Sequence, residues 1–164
     1  MILTGLRFPL MAILALTIAA CGQEPAGQSG SEPATEITRR SFSEFGDYVV
    51  HYNAQATEML PPEVARAYGI QRSANRAIVT VSVLKKAEGT IGEPMPATVT
   101  IEASNLTGQL KSVATRQIQE SGAIYYLGEI GVANRETLIF DISVQPEGSQ
   151  QPFRIKFRQQ FYTN

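Results

Sequence analysis

The stretch RAIVTVSVL, residues Arg76 to Leu84, alternates with a period of two. Every second residue from position 77 is small or β-branched and apolar: Ala77, Val79, Val81 and Val83. In an extended chain these side chains all lie on one face. Valine also favours strands, because its stiff branched side chain fits a pleated surface. The stretch therefore predicts a β-strand with one buried face.

Six further stretches alternate in the same way or run apolar. They are SFSEFGDYVVHYNA (41–54), PATVTIEA (96–103), LKSVATRQIQ (110–119), GAIYYLGEI (122–130), TLIFDISV (137–144) and FRIKFRQQF (153–161). Gly- and Pro-containing segments such as GTIGEPMP (89–96) separate them and indicate turns. The pattern predicts an all-β fold, an immunoglobulin-like β-sandwich of about seven strands. The disulfide and buried Trp of antibody domains are missing, so the likeness extends to architecture alone.

One segment departs from this pattern, MLPPEVARAYGI (59–70). Leu60, Val64 and Tyr68 follow one another at intervals of four and would form one stripe of a helix. Proline suits the first turn of a helix, and Gly69 suits the position just after its end. We expect one short helix of about two turns after the first strand, closing one end of the sandwich.

The N-terminal residues, Met1 to Ala20, have the pattern of a secretory signal. One positive charge, Arg7, precedes an apolar stretch of thirteen residues, which is too short to span a bilayer. The stretch ends in Ile18-Ala19-Ala20-Cys21, which resembles the bacterial lipobox. That resemblance implies that Cys21 receives a diacylglyceryl group, that the signal is cut before it, and that the new amine is acylated. A plain secreted protein and an uncleaved anchor are the alternatives.

The predicted lipid anchor also bears on location and domain organisation. Two or three acyl chains attach a protein almost permanently, whereas one does so weakly. Gly22 follows the cysteine, and by enteric-type sorting a residue other than Asp favours the outer membrane, facing the periplasm. Residues 22–36 lack aromatic and large aliphatic side chains and predict a flexible tether. We therefore divide the chain into a signal peptide (1–20), a lipidated cysteine and tether (21–36), and a β-sandwich domain (37–164).

Composition argues against several function classes. The formal net charge is −1, from 14 basic and 15 acidic residues, whereas a nucleic-acid-binding domain is normally strongly basic. The chain has one histidine, His51, and no GxSxG motif, and Cys21 is predicted to carry lipid. We expect no catalytic residues, no metal and no cofactor, although paired carboxylates from separate strands stay possible. A basic row in the last strand, Arg154, Lys156 and Arg158, suits either an anionic ligand or, more commonly, a solvated edge.

A resemblance to a known family rests on EFGDYVVHYNA (44–54) followed by LPPEVARAYGIQRS (60–73) and a hydrophobic strand. Together they resemble a family of small bacterial envelope proteins, domain of unknown function 4426, over residues 37–164. The resemblance implies no activity. It does imply that a shared interaction site lies near the distinctive residues of the first strand and the helix. These candidates are Asp47, His51, Arg66 and Arg72.

Three function hypotheses follow. The first is a non-enzymatic lipoprotein, anchored in the outer membrane, whose sandwich binds an envelope protein partner through an edge strand or through a polar patch near the helix. The second is a carrier for a small envelope ligand, which needs an apolar pocket with a few convergent polar groups. An envelope hydrolase that uses His51 is the third.

Overall fold

Strand pairing organises the part of the chain that the computed structural model describes, residues 41–120 and 122–163. Within these residues the strands are β1 (Phe42–Phe45), β2 (Tyr48–Ala56), β3 (Arg76–Lys85), β4 (Glu93–Pro94), β5 (Ala97–Asn105), β6 (Leu110–Lys111), β7 (Ala114–Glu120), β8 (Ala123–Gly131), β9 (Thr137–Pro146) and β10 (Phe153–Gln160). A 3₁₀ turn (Thr57–Met59) and a helix, α1 (Pro62–Ala67), lie between β2 and β3. The signal, Cys21 and the tether predicted from the sequence lie outside the described residues.

The strands form two antiparallel sheets. One has the order β1-β2-β3-β8-β7, with β4 paired to β3, and the other has the order β10-β9-β5-β6. Without β1 and β4, these orders match the A-B-E-D and G-F-C-C′ sheets of immunoglobulin domains, strand for strand in chain order. The predicted all-β, immunoglobulin-like sandwich is confirmed.

The core lies between the two sheets and consists of the inward-facing half of each strand. The inward-facing residues predicted from the RAIVTVSVL stretch are all fully buried: Ala77, Val79, Val81 and Val83. β9 faces them with four residues that are equally buried: Leu138, Phe140, Ile142 and Val144. Phe140 also stacks on Phe157 of β10, with ring centroids 5.0 Å apart. Large side chains therefore fill the space between the sheets.

The strand count and the position of the helix differ from the prediction. The stretch 41–54 is a hairpin of two strands, because Gly46 adopts a positive φ of 58° and turns the chain between Phe45 and Tyr48. The turn places Phe42 on the outer face beside His51, whereas Tyr48 faces inward. The stretch 110–119 also divides, into β6 and β7. The helix therefore follows the second strand, and the described residues form ten strands.

Helix α1 covers the outer face of the six-stranded sheet, so the prediction that it closes one end of the sandwich is wrong. It spans six residues and ends where predicted, since Gly69 has a φ of 63° and Ile70 N–H donates to the Ala65 carbonyl at 2.7 Å. Ala65 and Ile70 pack against Ile78 and Leu127, which point outward from β3 and β8. The helix lies there because these two outward apolar side chains need cover from water.

A buried threonine stabilises the helical segment between β2 and β3, which consists of the 3₁₀ turn and α1. Thr57 is fully buried in the 3₁₀ turn, and its hydroxyl lies 2.8 Å from the Gln71 carbonyl and 3.1 Å from that of Ser73. The same oxygen accepts a hydrogen bond from Ser73 N–H at 2.9 Å. One side chain thus joins the end of β2 to the chain that leaves α1, and both ends of the helical segment are tied together.

The approach of the two sheets at Gly128 gives a first prediction. A Cβ on Gly128 would lie 2.7 Å from Val113 Cγ1 and 3.1 Å from Ile101 Cδ1, the latter in the opposite sheet. We expect Gly128→Ala to lower the free energy of unfolding by about 1–3 kcal/mol, the usual cost of overpacking. Gly131→Ala, in the same strand with open space around the new Cβ, is the control and should change it by less than about 0.5 kcal/mol. Equal losses in urea denaturation would contradict this account.

The Thr57 contacts give a second prediction. Thr57→Val keeps the shape of this buried side chain but leaves the Ser73 N–H and the Gln71 and Ser73 carbonyls without their partner, so we expect the free energy of unfolding to fall by about 1–3 kcal/mol. Thr57→Ser keeps the hydroxyl and should retain most of the stability. Chemical denaturation of the three proteins measures the difference. A valine variant as stable as the serine variant would show that these hydrogen bonds do not hold the helical segment.

Candidate functional site

A pocket of about 240 Å3 lies between α1 and the outer face of the six-stranded sheet. We call it the helix pocket. Its lining residues come from the helical segment and from the outward positions of β3, β7 and β8: Leu60, Val64, Tyr68, Ile70, Ile78, Thr80, Ile118, Glu120, Tyr125 and Leu127. The pocket is mainly apolar and opens to the surface.

The local structure explains how these side chains converge. The stripe predicted for the helix, Leu60, Val64 and Tyr68, faces the sheet and forms one wall. The other wall consists of residues two apart on each strand, as Ile78 and Thr80 are on β3, because alternate residues share a face. The short helix covers Ile78 and Leu127 closely but leaves space beside them, and that space is the pocket.

A polar pair bridges the pocket at its rim. The Tyr68 hydroxyl, just after α1, donates a hydrogen bond of 2.7 Å to Glu120 Oε2, at the end of β7. This bond to the carboxylate raises the pKa of the Tyr68 hydroxyl, because it stabilises the protonated, donating form. Arg116 of β7 also donates to the Tyr68 carbonyl, at 2.6 Å. The end of the helix is therefore fastened to β7 from two sides.

Charged residues flank the pocket next to this fastening. Glu129 of β8 lies between Arg76 and Arg116, with O···N distances of 3.0 and 3.4 Å. The pocket-side face of β7 consequently carries a cation at Arg116, an apolar residue at Ile118 and an anion at Glu120. The three form a row along one strand.

The size of the pocket limits its contents. Pockets for drug-sized molecules usually occupy about 300–1,000 Å3, and an apolar cavity of about 150 Å3 holds benzene. A volume of about 240 Å3 lies between these and suits one large apolar side chain or a single ring. The titratable lining groups are Glu120 and two tyrosines, and Glu120 is already bonded to Tyr68. The arrangement can take up an apolar group and offers it a polar contact at the rim.

The four interaction residues predicted from the sequence lie elsewhere. Asp47 is in the β1–β2 turn, and His51 is exposed on the outer face of β2, with its ring 5.9 Å from that of Phe42. Arg66 is exposed on α1, and Arg72 donates to the Glu58 carbonyl at 2.6 Å.

The structure does not bring these four residues together. Asp47 precedes β2, and Glu58, which holds Arg72, follows it, so the nine residues of that strand, about 30 Å, separate the two ends. None of the four is among the residues that line the helix pocket. Their role in an interaction stays a prediction.

The sequence carries a signal for the pocket at the outward positions of its strands. Outward positions of strands with one solvent-exposed face are normally polar. Ile78, Ile118, Tyr125 and Leu127 are apolar residues at such positions, and together they mark a covered patch on the outer face. The helix stripe Leu60, Val64 and Tyr68 is the matching signal on the helical segment.

Metal clusters and membrane-spanning helices are both absent from residues 41–120 and 122–163. No group of three or more His, Cys, Asp or Glu side chains in these residues is arranged to hold a metal ion. No helix in the same residues has the length and apolar character needed to cross a membrane.

Comparisons with known proteins place the fold and the family. No curated protein matches the chain. The crystal structure of FetP from uropathogenic E. coli strain F11, recombinantly expressed in the periplasm, is 12% identical and covers 75% of this chain and 93% of its own, with a TM-score of 0.53. At that identity the likeness shows a shared fold alone.

A second solved structure is a DUF4426 family protein from Pseudomonas aeruginosa PAO1. It is 33% identical, covers 75% of this chain and 94% of its own, and has a TM-score of 0.63. The family model of a domain of unknown function, DUF4426, matches residues 42–164. The match covers every described residue except Ser41. It agrees with the resemblance in residues 44–54 and 60–73. The chain therefore belongs to the DUF4426 family.

Proposed function

We propose that this protein is a non-enzymatic interaction module of the bacterial envelope. It is anchored in the outer membrane through lipid on Cys21 and faces the periplasm. Its sandwich binds a partner protein by taking one large apolar side chain of that partner into the helix pocket.

One observation carries the binding part of the proposal, the size and lining of the helix pocket. Its apolar walls favour an apolar group, and the Tyr68–Glu120 pair at its rim offers a polar contact next to it. The volume of about 240 Å3 is small for a free ligand and adequate for a phenylalanine or leucine side chain. Interfaces commonly depend on such anchor side chains in pockets.

A carrier for a small ligand is the second candidate. The same pocket supports it, since an apolar cavity with a polar rim also suits a single aromatic ring. We expect such a ligand to bind in the helix pocket, between α1 and the six-stranded sheet. The two candidates differ in what occupies the pocket in cells.

The location rests on the N-terminal sequence. Ile18-Ala19-Ala20-Cys21 supports lipidation, Gly22 supports release to the outer membrane, and residues 22–36 support a tether between lipid and domain. The periplasmic expression of FetP is compatible with an exported domain of this fold.

The pocket is tested by filling it. In Val64→Trp the indole replaces a half-buried side chain that lines the pocket, whereas Glu63→Trp places the same ring on the exposed side of the same helix. Full-length protein carrying a photo-cross-linking residue at exposed Gln119 is expressed in the native host, and cross-linked peptides are identified by mass spectrometry. We expect one defined partner segment with an apolar residue, lost about tenfold in yield in Val64→Trp and retained in Glu63→Trp.

Equal cross-linking in the two tryptophan variants would contradict binding in the pocket. Native mass spectrometry of the isolated protein distinguishes the second candidate. A small molecule that is retained by Glu63→Trp and absent from Val64→Trp, without a cross-linked protein, would identify a carrier.

The anchor is tested by metabolic labelling with an alkyne fatty acid. We expect the wild-type protein to be labelled and to fractionate with the outer membrane, and Cys21→Ser to lose both properties because it lacks the thiol that accepts the lipid. Gly22→Asp should keep the label and move to the inner membrane. A wild-type protein without label in its native host would refute the lipoprotein proposal.

A further inference from the structure

Among residues 41–120 and 122–163, strand β7 ends the six-stranded sheet with an unpaired edge. Among the described residues it pairs with β8 on one side, and none of the remaining backbone hydrogen bonds involves β7. Six of its seven residues are exposed. A strand of this length with a free edge is a template for one more strand.

The register determines which backbone groups face outward. Two residues separate Glu120 from Ala123, and in such a hairpin the residues on either side of the turn form a hydrogen-bonded pair. Hydrogen-bonded and non-hydrogen-bonded pairs then alternate along the ladder. The N–H and C=O groups of Glu120, Ile118 and Arg116 therefore point to β8, and those of Gln119, Gln117 and Thr115 point to the free edge.

The other long edge strand is less suited to pairing. β10 carries a basic side chain at every second position from Arg154 to Arg158, and basic residues on an edge discourage the addition of a strand. At the opposite end of the six-stranded sheet, β1 has four residues. β7 is longer than β1, and Arg116 is its one basic residue.

β7 is also a wall of the helix pocket. Ile118 and Glu120 line the pocket, and Arg116 lies on the same face of the strand. A strand added beside β7 would point alternate side chains to this face, next to Arg116, Ile118 and Glu120 in turn. The side chain opposite Ile118 would reach the mouth of the pocket, and its neighbours two residues away would meet one cation and one anion.

We propose that the partner binds as an extended peptide segment that adds to β7 as an antiparallel strand. Its sequence has the form basic–x–large apolar–x–acidic, with the basic residue opposite Glu120, the apolar residue opposite Ile118 and the acidic residue opposite Arg116. This inference rests on the proposed function and specifies the chemistry of the partner. Backbone hydrogen bonds to Gln117 and Gln119 provide affinity, and the pocket and the two charges provide specificity. The antiparallel direction follows the other pairings in both sheets and is the more stable one per residue.

The test uses a fluorescein-labelled peptide, Thr-Lys-Thr-Phe-Thr-Asp-Thr, and the full-length protein in lipid nanodiscs, with fluorescence anisotropy as the readout. We expect saturable binding, weakened about tenfold when Phe is replaced by Ser and weakened when Lys and Asp are exchanged. In the proposed register the two Thr residues beside Phe donate their N–H groups to β7, whereas the N–H of Phe points away. N-methylation of those two Thr residues should abolish binding, and N-methylation of Phe should leave it within about twofold.

A variant of the protein tests the same bonds from the other side. Gln117→Pro removes an N–H that faces the free edge, a position at which sheets tolerate proline, and Gln117→Ala removes the side chain but keeps the N–H. We expect Gln117→Pro to lose peptide binding and Gln117→Ala to keep it. The N-methylated peptides test the same backbone hydrogen bonds with the unchanged protein. Strand addition can therefore be refuted even if the proline variant does not fold.

The outcomes separate this inference from the proposed function. Binding that resists N-methylation of both Thr residues, but is lost in Val64→Trp, would overturn strand addition and leave the pocket as the site. Binding that needs the Thr N–H groups, but is unchanged in Val64→Trp and by loss of the Phe ring, would uphold strand addition and refute the pocket. Absence of binding at millimolar peptide would overturn the inferred partner sequence.

Discussion

The burial of β3 on both of its faces is the constraint on which the rest of the structure depends. Its inner face, from Ala77 to Val83, meets β9 across the sandwich, and its outer face carries Ile78, which is 2% exposed. A strand in a two-layer sandwich normally has one face in water. Because Ile78 and its neighbour Leu127 are apolar, the outer face needs a cover, and the segment between β2 and β3 supplies it.

That cover is short, and its shortness creates the site. Six helical residues cannot span the outer face of β3, β8 and β7, so α1 buries Ile78 and Leu127 and leaves an open space beside them. Thr57 ties the two ends of the segment to each other, and the Tyr68 contacts fasten the end of the helix to β7. The walls of the pocket, α1 and the six-stranded sheet, are therefore fixed relative to each other. A binding site for a single anchor side chain requires such rigid walls.

The alternation of apolar and polar residues predicted most of the strands correctly but missed the turn that divides residues 41–54. Alternation in five of the stretches from Arg76 onward corresponds to real strands because each of these has one side in the core, and side-chain period is a local property. The remaining stretch, 110–119, divides into β6 and the exposed strand β7. The 41–54 stretch predicts one strand, because alternation continues through the turn at Gly46 by chance. In the structure Gly46 turns the chain with a positive φ. In the sequence, a single glycine inside an alternating pattern suits a bulge as well as a turn.

By itself the sequence determined that this chain is an all-β sandwich of the DUF4426 family, with a short helix that ends at Gly69. It also contains the motif at Cys21 from which an envelope anchor is proposed. The tertiary structure decided where the helix lies, that Leu60, Val64 and Tyr68 face a pocket, and that Asp47 and Arg72 are far apart. The physical reason is that alternation records which residues share a face, whereas the contents of a pocket depend on which strands are neighbours. Strand β3 is the neighbour of β8 in the sheet but is distant in the chain from the β7–β8 hairpin, and that adjacency is a property of the whole fold.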